Sequence, residues 1–173
     1  MATGGRPSGG RGRQLYTAEE RMRRDSSVWT LVQGILAPLQ FLVFLVSTGL
    51  VIRFLMTGEG EFAATSSVVL KTLILYTIMV TGSIWEKVVF GKWLFAEPFF
   101  WEDVVSMLVL ALHTLYLVML LAGWGTPEQQ MLVALVAYMT YVVNATQFLL
   151  KLRAARLEAS RSGNSVVAEG VAA

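Results

Sequence analysis

A chain of 173 residues that is 55% hydrophobic and only 15% charged, with a mean hydropathy of +0.59, has the composition of a polytopic membrane protein with room for one domain. Cysteine is absent and histidine occurs once, which excludes disulfides, thiolate metal sites, iron–sulfur clusters, cysteine nucleophiles and any multi-histidine metal cage. The net charge of +2 comes mostly from arginines at the two ends, so it speaks of topology and anionic lipid; no aromatic-rich basic groove offers itself to nucleic acid.

Residues 1–14 are mainly Gly, Arg and Ser and read as a disordered tail. They are not a signal peptide, because the first apolar run begins only at Val28 and is far too long for one. Between them, Thr17 with Glu20 three residues on forms a capping-box pattern that predicts a short amphipathic surface helix. Four hydrophobic spans follow, at about 28–56, 66–89, 103–124 and 128–150, each long enough to cross about 30 Å of hydrocarbon. The predicted fold is all-α: a four-helix transmembrane domain over 15–157, a kink at Pro38, and a polar disordered tail from 158. Six arginines precede the first span, Lys87 and Lys92 separate the second and third, and Lys151, Arg153, Arg156 and Arg161 follow the fourth, so both termini should be cytoplasmic. Arg53 and Lys71 break the pattern and are expected to snorkel to the outer surface beside Glu59 and Glu61.

Each span carries a polar stripe at helical spacing: Gln33, Gln40 and Ser47; Thr72, Tyr76, Ser83 and Lys87, with Glu86 at the edge; Glu102, Ser106, His113 and Tyr116; Thr140, Asn144, Gln147 and Lys151. In lipid these stripes must turn inward and find partners. Most of the polarity, including Gln33, Glu86, Glu102, Asp103, Asn144 and Gln147, falls in the cytoplasmic third, with Gln40 slightly deeper and His113 near the midplane. Interhelical glue has no reason to gather on one side, whereas a pocket opening to the cytoplasmic leaflet does.

The connection from Thr81 to Asp103 concentrates charge and rings, with Trp85, Trp93 and Trp101 among four phenylalanines. It reads either as an anchored surface loop or as the cover of a site for a large, flat amphiphile. Glu86, Glu102 and Asp103 invite an acid–base reading, since crowded and partly buried carboxyls favour one in its acid form. The competing account makes Asp103 the cap of the third span and pairs Glu86 with Lys87 or Lys92. His113 could be an interhelical hydrogen-bonding residue, an axial ligand to a metal chelated by the bound molecule, or a proton carrier.

The strings LYTAEERMRRDSSVWTLVQGILAPLQFLVFLVSTGLVIRFL, VVLKTLILYTIMVTGSIWEKVVFGKWLFAEPFFWEDVVSM and AYMTYVVNATQFLLKLRAARL resemble the vinyl-bacteriochlorophyllide hydratase family of bacteriochlorophyll biosynthesis, over about residues 15–157. The resemblance implies hydration of the C3 vinyl group of chlorophyllide a or its bacteriochlorin counterpart. It implies an enzyme of the inner membrane of a phototrophic bacterium, with lipid, the pigment and other pigment-synthesis enzymes as expected partners. No cofactor is expected beyond the magnesium that the substrate carries. The resemblance brings no catalytic residues with it. From the residues themselves, the expected catalytic set is Glu86, Glu102 and Asp103, with the first two as acid and base. The expected substrate-binding set is His113, Gln40, Asn144, Gln147, Trp85, Trp101 and Tyr76, His113 acting through the magnesium or through packing rather than as proton donor. The alternative is a non-catalytic pigment carrier or assembly scaffold.

Overall fold

The computed structural model describes residues 15–171, with side chains placed as far as Leu157; the predicted N-terminal tail and Ala172–Ala173 lie outside the described residues. Five α-helices run in order: α1 (Ala18–Ser26), α2 (Val28–Thr57), α3 (Glu61–Phe90), α4 (Phe100–Ala122) and α5 (Pro127–Val171), with a single 3-10 turn at Glu97–Phe99 leading into α4. The capping box forms as its spacing predicts: Glu20 N–H donates to Thr17 Oγ1 at 3.2 Å and Thr17 N–H donates to Glu20 Oε2 at 2.7 Å. Ser27 caps α2 through a bond from the Trp29 amide. Gly58 ends α2 at φ 72°, a left-handed position that a residue with a Cβ enters only at a cost.

Val28–Thr57, Glu61–Phe90, Glu97–Ala122 and Pro127–Leu157 are each long and apolar enough to cross a membrane, so this is a multi-pass membrane protein. Thirty residues of α2 rise about 45 Å, more than the hydrocarbon needs, and the surplus is taken up by tilt or by extension into the headgroups. Side chains on the outer faces, such as Phe62, Leu121 and Met139, are exposed and apolar, as lipid demands. Inside, small or branched residues (Val51, Val68, Val109, Ala134) let the helices approach Phe44, Tyr138 and Tyr141. Pro38 sits within α2 without interrupting it.

α2 packs mainly on α3 and α4 mainly on α5, while the two hairpins meet each other over less surface. Four crossings put both ends of the described residues on one side. That side, the loop end, holds α1, the α3–α4 connection and the extension of α5; the Gly58–Gly60 link and the Gly123–Thr126 turn mark the opposite, turn end. Several boundaries differ from the sequence expectation. α3 begins at Glu61 rather than near Ser66, because residues 61–64 are good helix formers once Gly60 has turned the chain. α4 begins at Phe100, three residues before Asp103. α5 does not stop at Leu150, since Lys, Leu, Arg and Ala continue the helix beyond the apolar stretch, and its backbone stays helical to Val171.

Arg53 lies at the exposed turn end, 3.6 Å from Glu59. Lys71 does not join it. Its side chain is wholly buried, and Nζ lies 3.9 Å from the centre of the Tyr141 ring on α5. The expectation that it snorkels outward is wrong for a geometric reason: ten residues separate it from the start of α3, a rise of about 15 Å, more than one lysine side chain spans. With Lys71 removed from the count of surface cations, the turn end keeps only Arg53, and the positive-inside bias becomes stronger. Reporter fusions at both termini are expected to report the cytoplasm, and a fusion after Glu61 the opposite side; a split between the termini would contradict an even number of crossings.

Candidate active site

After the Gly91 amide closes α3 on the Lys87 carbonyl, the chain turns back toward α4 through five residues, 92–96, that lie outside any helix, and a buried amide there costs free energy if unpaired. Two carboxylic side chains meet this need. Glu86, one turn before the end of α3, accepts from the Ala96 amide at 3.1 Å, and Asp103, in the first turn of α4, accepts from the Phe95 amide at 2.8 Å. Adjacent amides of one loop are thus held by carboxyls from two helices, and the two carboxyls also interact with each other. Both side chains are buried. Phe95 adopts φ 57°, the only non-glycine at positive φ among the described residues, at a cost of about 1–3 kcal/mol; the Asp103 bond to its amide offsets that strain. Asp103 is therefore not the N-cap of the third span. That position is Phe99, which has no side-chain cap, because the 3-10 turn starts the helix earlier.

Glu102 faces another way. Its Oε2 lies 2.6 Å from Lys151 Nζ on α5, and Lys151 in turn lies 5.1 Å from the centre of the Phe99 ring. Glu102 remains close enough to Asp103 for their charges to interact. Below this ion pair, Asn144 Nδ2 donates to Ser106 Oγ at 2.7 Å and Ser106 donates to the Glu102 carbonyl at 2.8 Å. That chain leaves Asn144 Oδ1 and, one turn on, Gln147 Oε1 as buried oxygens with no hydrogen-bond donor. Gln40 is buried on α2. The structure thus gathers Glu86, Glu102 and Asp103 at the loop end with Asn144 near them, and it couples Glu86 to Asp103 rather than to Glu102. Lys151, assigned to a stripe but not to the site, is the added member.

The aromatic residues divide into two groups. Tyr16, Phe90, Phe99 and Phe148 pack together with Trp85, whose Nε1 donates to Thr30 Oγ1 at 2.9 Å, so Trp85 ties α3 to α2 and closes the loop end. Trp93, Phe95, Phe100 and Trp101 point outward, Trp101 being 69% exposed. Tyr76 is half-buried and bonds Thr114 on α4 at 2.8 Å. Neither Trp101 nor Tyr76 is brought to the carboxyls.

A second polar group lies deeper. His113 Nδ1 meets the Val109 carbonyl at 2.8 Å; since a carbonyl only accepts, Nδ1 carries a proton and donates it. Nε2 is buried without a partner, as is Lys71 Nζ. Tyr138 packs between them, 5.7 Å from the His113 ring and 6.0 Å from Lys71 Nζ, and its hydroxyl bonds Ser47 at 2.5 Å. His113 stands ten residues from Asp103 on α4, a rise of about 15 Å. The structure therefore separates His113 from the carboxyls with which the sequence grouped it.

Residues 16–154 match the family described as 2-vinyl bacteriochlorophyllide hydratase. A protein of that name from Rhodobacter capsulatus is 66% identical over 146 residues, which cover 84% of this chain and 85% of the relative. One from Cereibacter sphaeroides is 65% identical over 146 residues, covering 84% and 91%. No solved structure matches the chain.

Hydrogen bonds to charged groups are worth about 1.5–3 kcal/mol each, so Asp103→Ala and Glu86→Ala should each raise amide exchange at Phe95 and Ala96 by about ten- to a hundredfold while leaving α2 protected. Mass-spectrometric exchange on detergent-solubilised protein checks this, and unchanged exchange would remove the clamp.

Proposed function

Since this chain belongs to the 2-vinyl bacteriochlorophyllide hydratase family, and is a hydro-lyase of bacteriochlorophyll synthesis, we propose how it adds water: the Glu86–Asp103 pair supplies the proton, and Glu102 receives one from water. The substrate is chlorophyllide a, or the 3-vinyl bacteriochlorophyllide, the product is the 3-(1-hydroxyethyl) pigment, and the reaction occurs at the cytoplasmic face of the inner membrane. The observation that carries this reading is that the buried Glu86 and Asp103 carboxyls hold two adjacent amides of one loop, beside a third carboxyl that has its own cation.

Hydration of a vinyl group begins with a proton on its terminal carbon, which leaves a cation at the inner carbon delocalised into the macrocycle. Two carboxyls in contact hold one proton between them, because two negative charges at that distance repel, and that proton goes to the terminal carbon. The remaining carboxylates stabilise the cation where water is excluded. A water molecule donating one hydrogen to Asn144 Oδ1 or Gln147 Oε1, both lacking a donor, and the other to Glu102 turns a lone pair toward the inner carbon. As the C–O bond forms, the water proton passes to Glu102, whose negative charge is secured by Lys151. From Glu102 it returns to neighbouring Asp103, restoring the pair. The balance is one water added and no proton consumed. No cofactor is needed, the magnesium belonging to the substrate. His113 stands outside this relay, too far along α4 to reach it.

A positioned acid or base contributes typically about 10²–10⁴-fold. Glu86→Gln and Asp103→Asn should each lower turnover by about that factor, with the double variant little worse than the weaker single one, because the two act as a unit; His113→Gln should retain more activity than either. The assay is incubation of chlorophyllide a with membranes containing this protein alone, following a product heavier by one water. Absence of that product from the wild type, with conversion of the bacteriochlorin counterpart, would reassign the substrate. Near wild-type rates in both carboxyl variants would sink the mechanism.

A further inference from the structure

Lys71 is the one cation among the described residues that is wholly buried with no hydrogen-bond partner. Charges inside a membrane protein are normally paired or functional, because an isolated one costs several kcal/mol. No carboxylate of the described residues forms a hydrogen bond or ion pair with it. What surrounds it is the face of Tyr141 at 3.9 Å and the ring of Tyr138 at 6.0 Å, with the imidazole of His113 on the far side of that second ring. Aromatic faces soften the cost of an ammonium but leave its three N–H donors unused. An anionic group placed among these rings would use those donors.

On the reading given above, a bacteriochlorophyllide-type substrate brings one. A chlorophyllide differs from a chlorophyll in having a free propionic acid where the pigment carries an esterified alcohol. We propose that Lys71 binds this carboxylate and so fixes which edge of the macrocycle reaches the loop-end carboxyls. Position supports it. Lys71 Nζ sits at Tyr141, ten residues before Lys151 on α5, so the ammonium and the carboxyl cluster are separated by about 15 Å along the bundle. Propionate and vinyl stand on different rings of the chlorin, and the molecule's length between them, with a hydrogen bond at one end and a proton transfer at the other, is of that order. The metal lies much nearer the vinyl group than the propionate does, so ligation of the magnesium by His113 would leave the vinyl group short of Glu86 and Asp103. The intervening stretch contains the buried Gln40 on α2 and Asn144 on α5, helices of different hairpins that meet over less surface than the two helices within each hairpin. A flat molecule enters there by parting two hairpins rather than by breaking one.

The test compares binding of chlorophyllide a with that of its methyl ester, by absorbance titration of the purified detergent-solubilised protein, for the wild type, Lys71→Met and Lys71→Arg. Charge-assisted bonds of about 1.5–3 kcal/mol correspond to about ten- to a hundredfold in affinity. The wild type should favour the free acid by that factor, Lys71→Met should bind acid and ester alike at the weaker value, and Lys71→Arg should restore part of the preference. Thermal stability of the ligand-free protein supplies the control: removing an unpaired buried charge should leave it unchanged or raised, whereas a lysine kept for packing would lower it. Equal binding of acid and ester by the wild type, or a preference surviving in Lys71→Met, overturns the proposal. Binding is read without hydration, so a failure of the proton relay and a failure of the anchor give different results.

Discussion

Everything polar in this molecule answers to one constraint: inside hydrocarbon a hydrogen-bonding group must find its partner in the protein. Helices satisfy their own backbones, so the demand falls on the segments between them and on side chains that face inward. At the turn end the connections are short and wet, and glycine suffices. At the loop end the chain runs through apolar and aromatic residues whose side chains hold it near the membrane, and two of its amides are held by Glu86 and Asp103. Because one carboxyl comes from α3 and the other from α4, the clamp joins the two hairpins where they otherwise touch little. The same bonds that close the loop bring two acidic groups into contact, so structure and chemistry share the residues. Substitution at either position therefore loosens the loop as well as altering the acid, which is why glutamine and asparagine, able to accept from the same amides, separate the two effects better than alanine.

The loop end also sorts its carboxyls. Glu102 has Lys151 as a counter-ion, whereas Glu86 and Asp103 have each other and two backbone amides. Different environments for three similar groups are what a hydration requires, since one step gives a proton and another takes one. The uncommitted oxygens of Asn144 and Gln147 lie on the α5 side of this arrangement, where an incoming water would need acceptors. The deeper group of Lys71, His113 and Tyr138 has no place in that proton circuit, and its position suits recognition rather than reaction.

Much of this was legible from the residues. Apolar runs of spanning length gave four crossings, the Thr17–Glu20 spacing gave the first cap, and the one-sided polarity placed the acidic residues at the loop end. The carboxyls were found but paired differently. Glu86 and Glu102 looked equivalent because both end a span beside aromatic residues, and only the three-dimensional return of the loop shows that Asp103 reaches Phe95 while Glu102 reaches Lys151, 49 residues away. The competing account that makes Asp103 a cap fails because a 3-10 turn beginning at Glu97, with no clear signature among so many rings, starts the helix earlier. Lys71 was misplaced by treating a cation as a surface group, although Ala64, Val68, Lys71 and Leu75 share one helical face and the other three are core. Trp85 and Trp101 were read together as cover for a site; hydrogen bonding to Thr30 settles the first inside, and nothing in the residue type distinguishes the second.

The central claim is that Glu86 and Asp103 share one proton. Infrared difference spectroscopy on pigment binding, in water and deuterium oxide, reads that proton directly through the carbonyl stretch of a protonated carboxyl. The account predicts one such band in the wild type, shifted in deuterium oxide and lost in both Glu86→Gln and Asp103→Asn, but retained in Glu102→Gln. A band that survives both of the first two substitutions, or no protonated carboxyl at all, would contradict it.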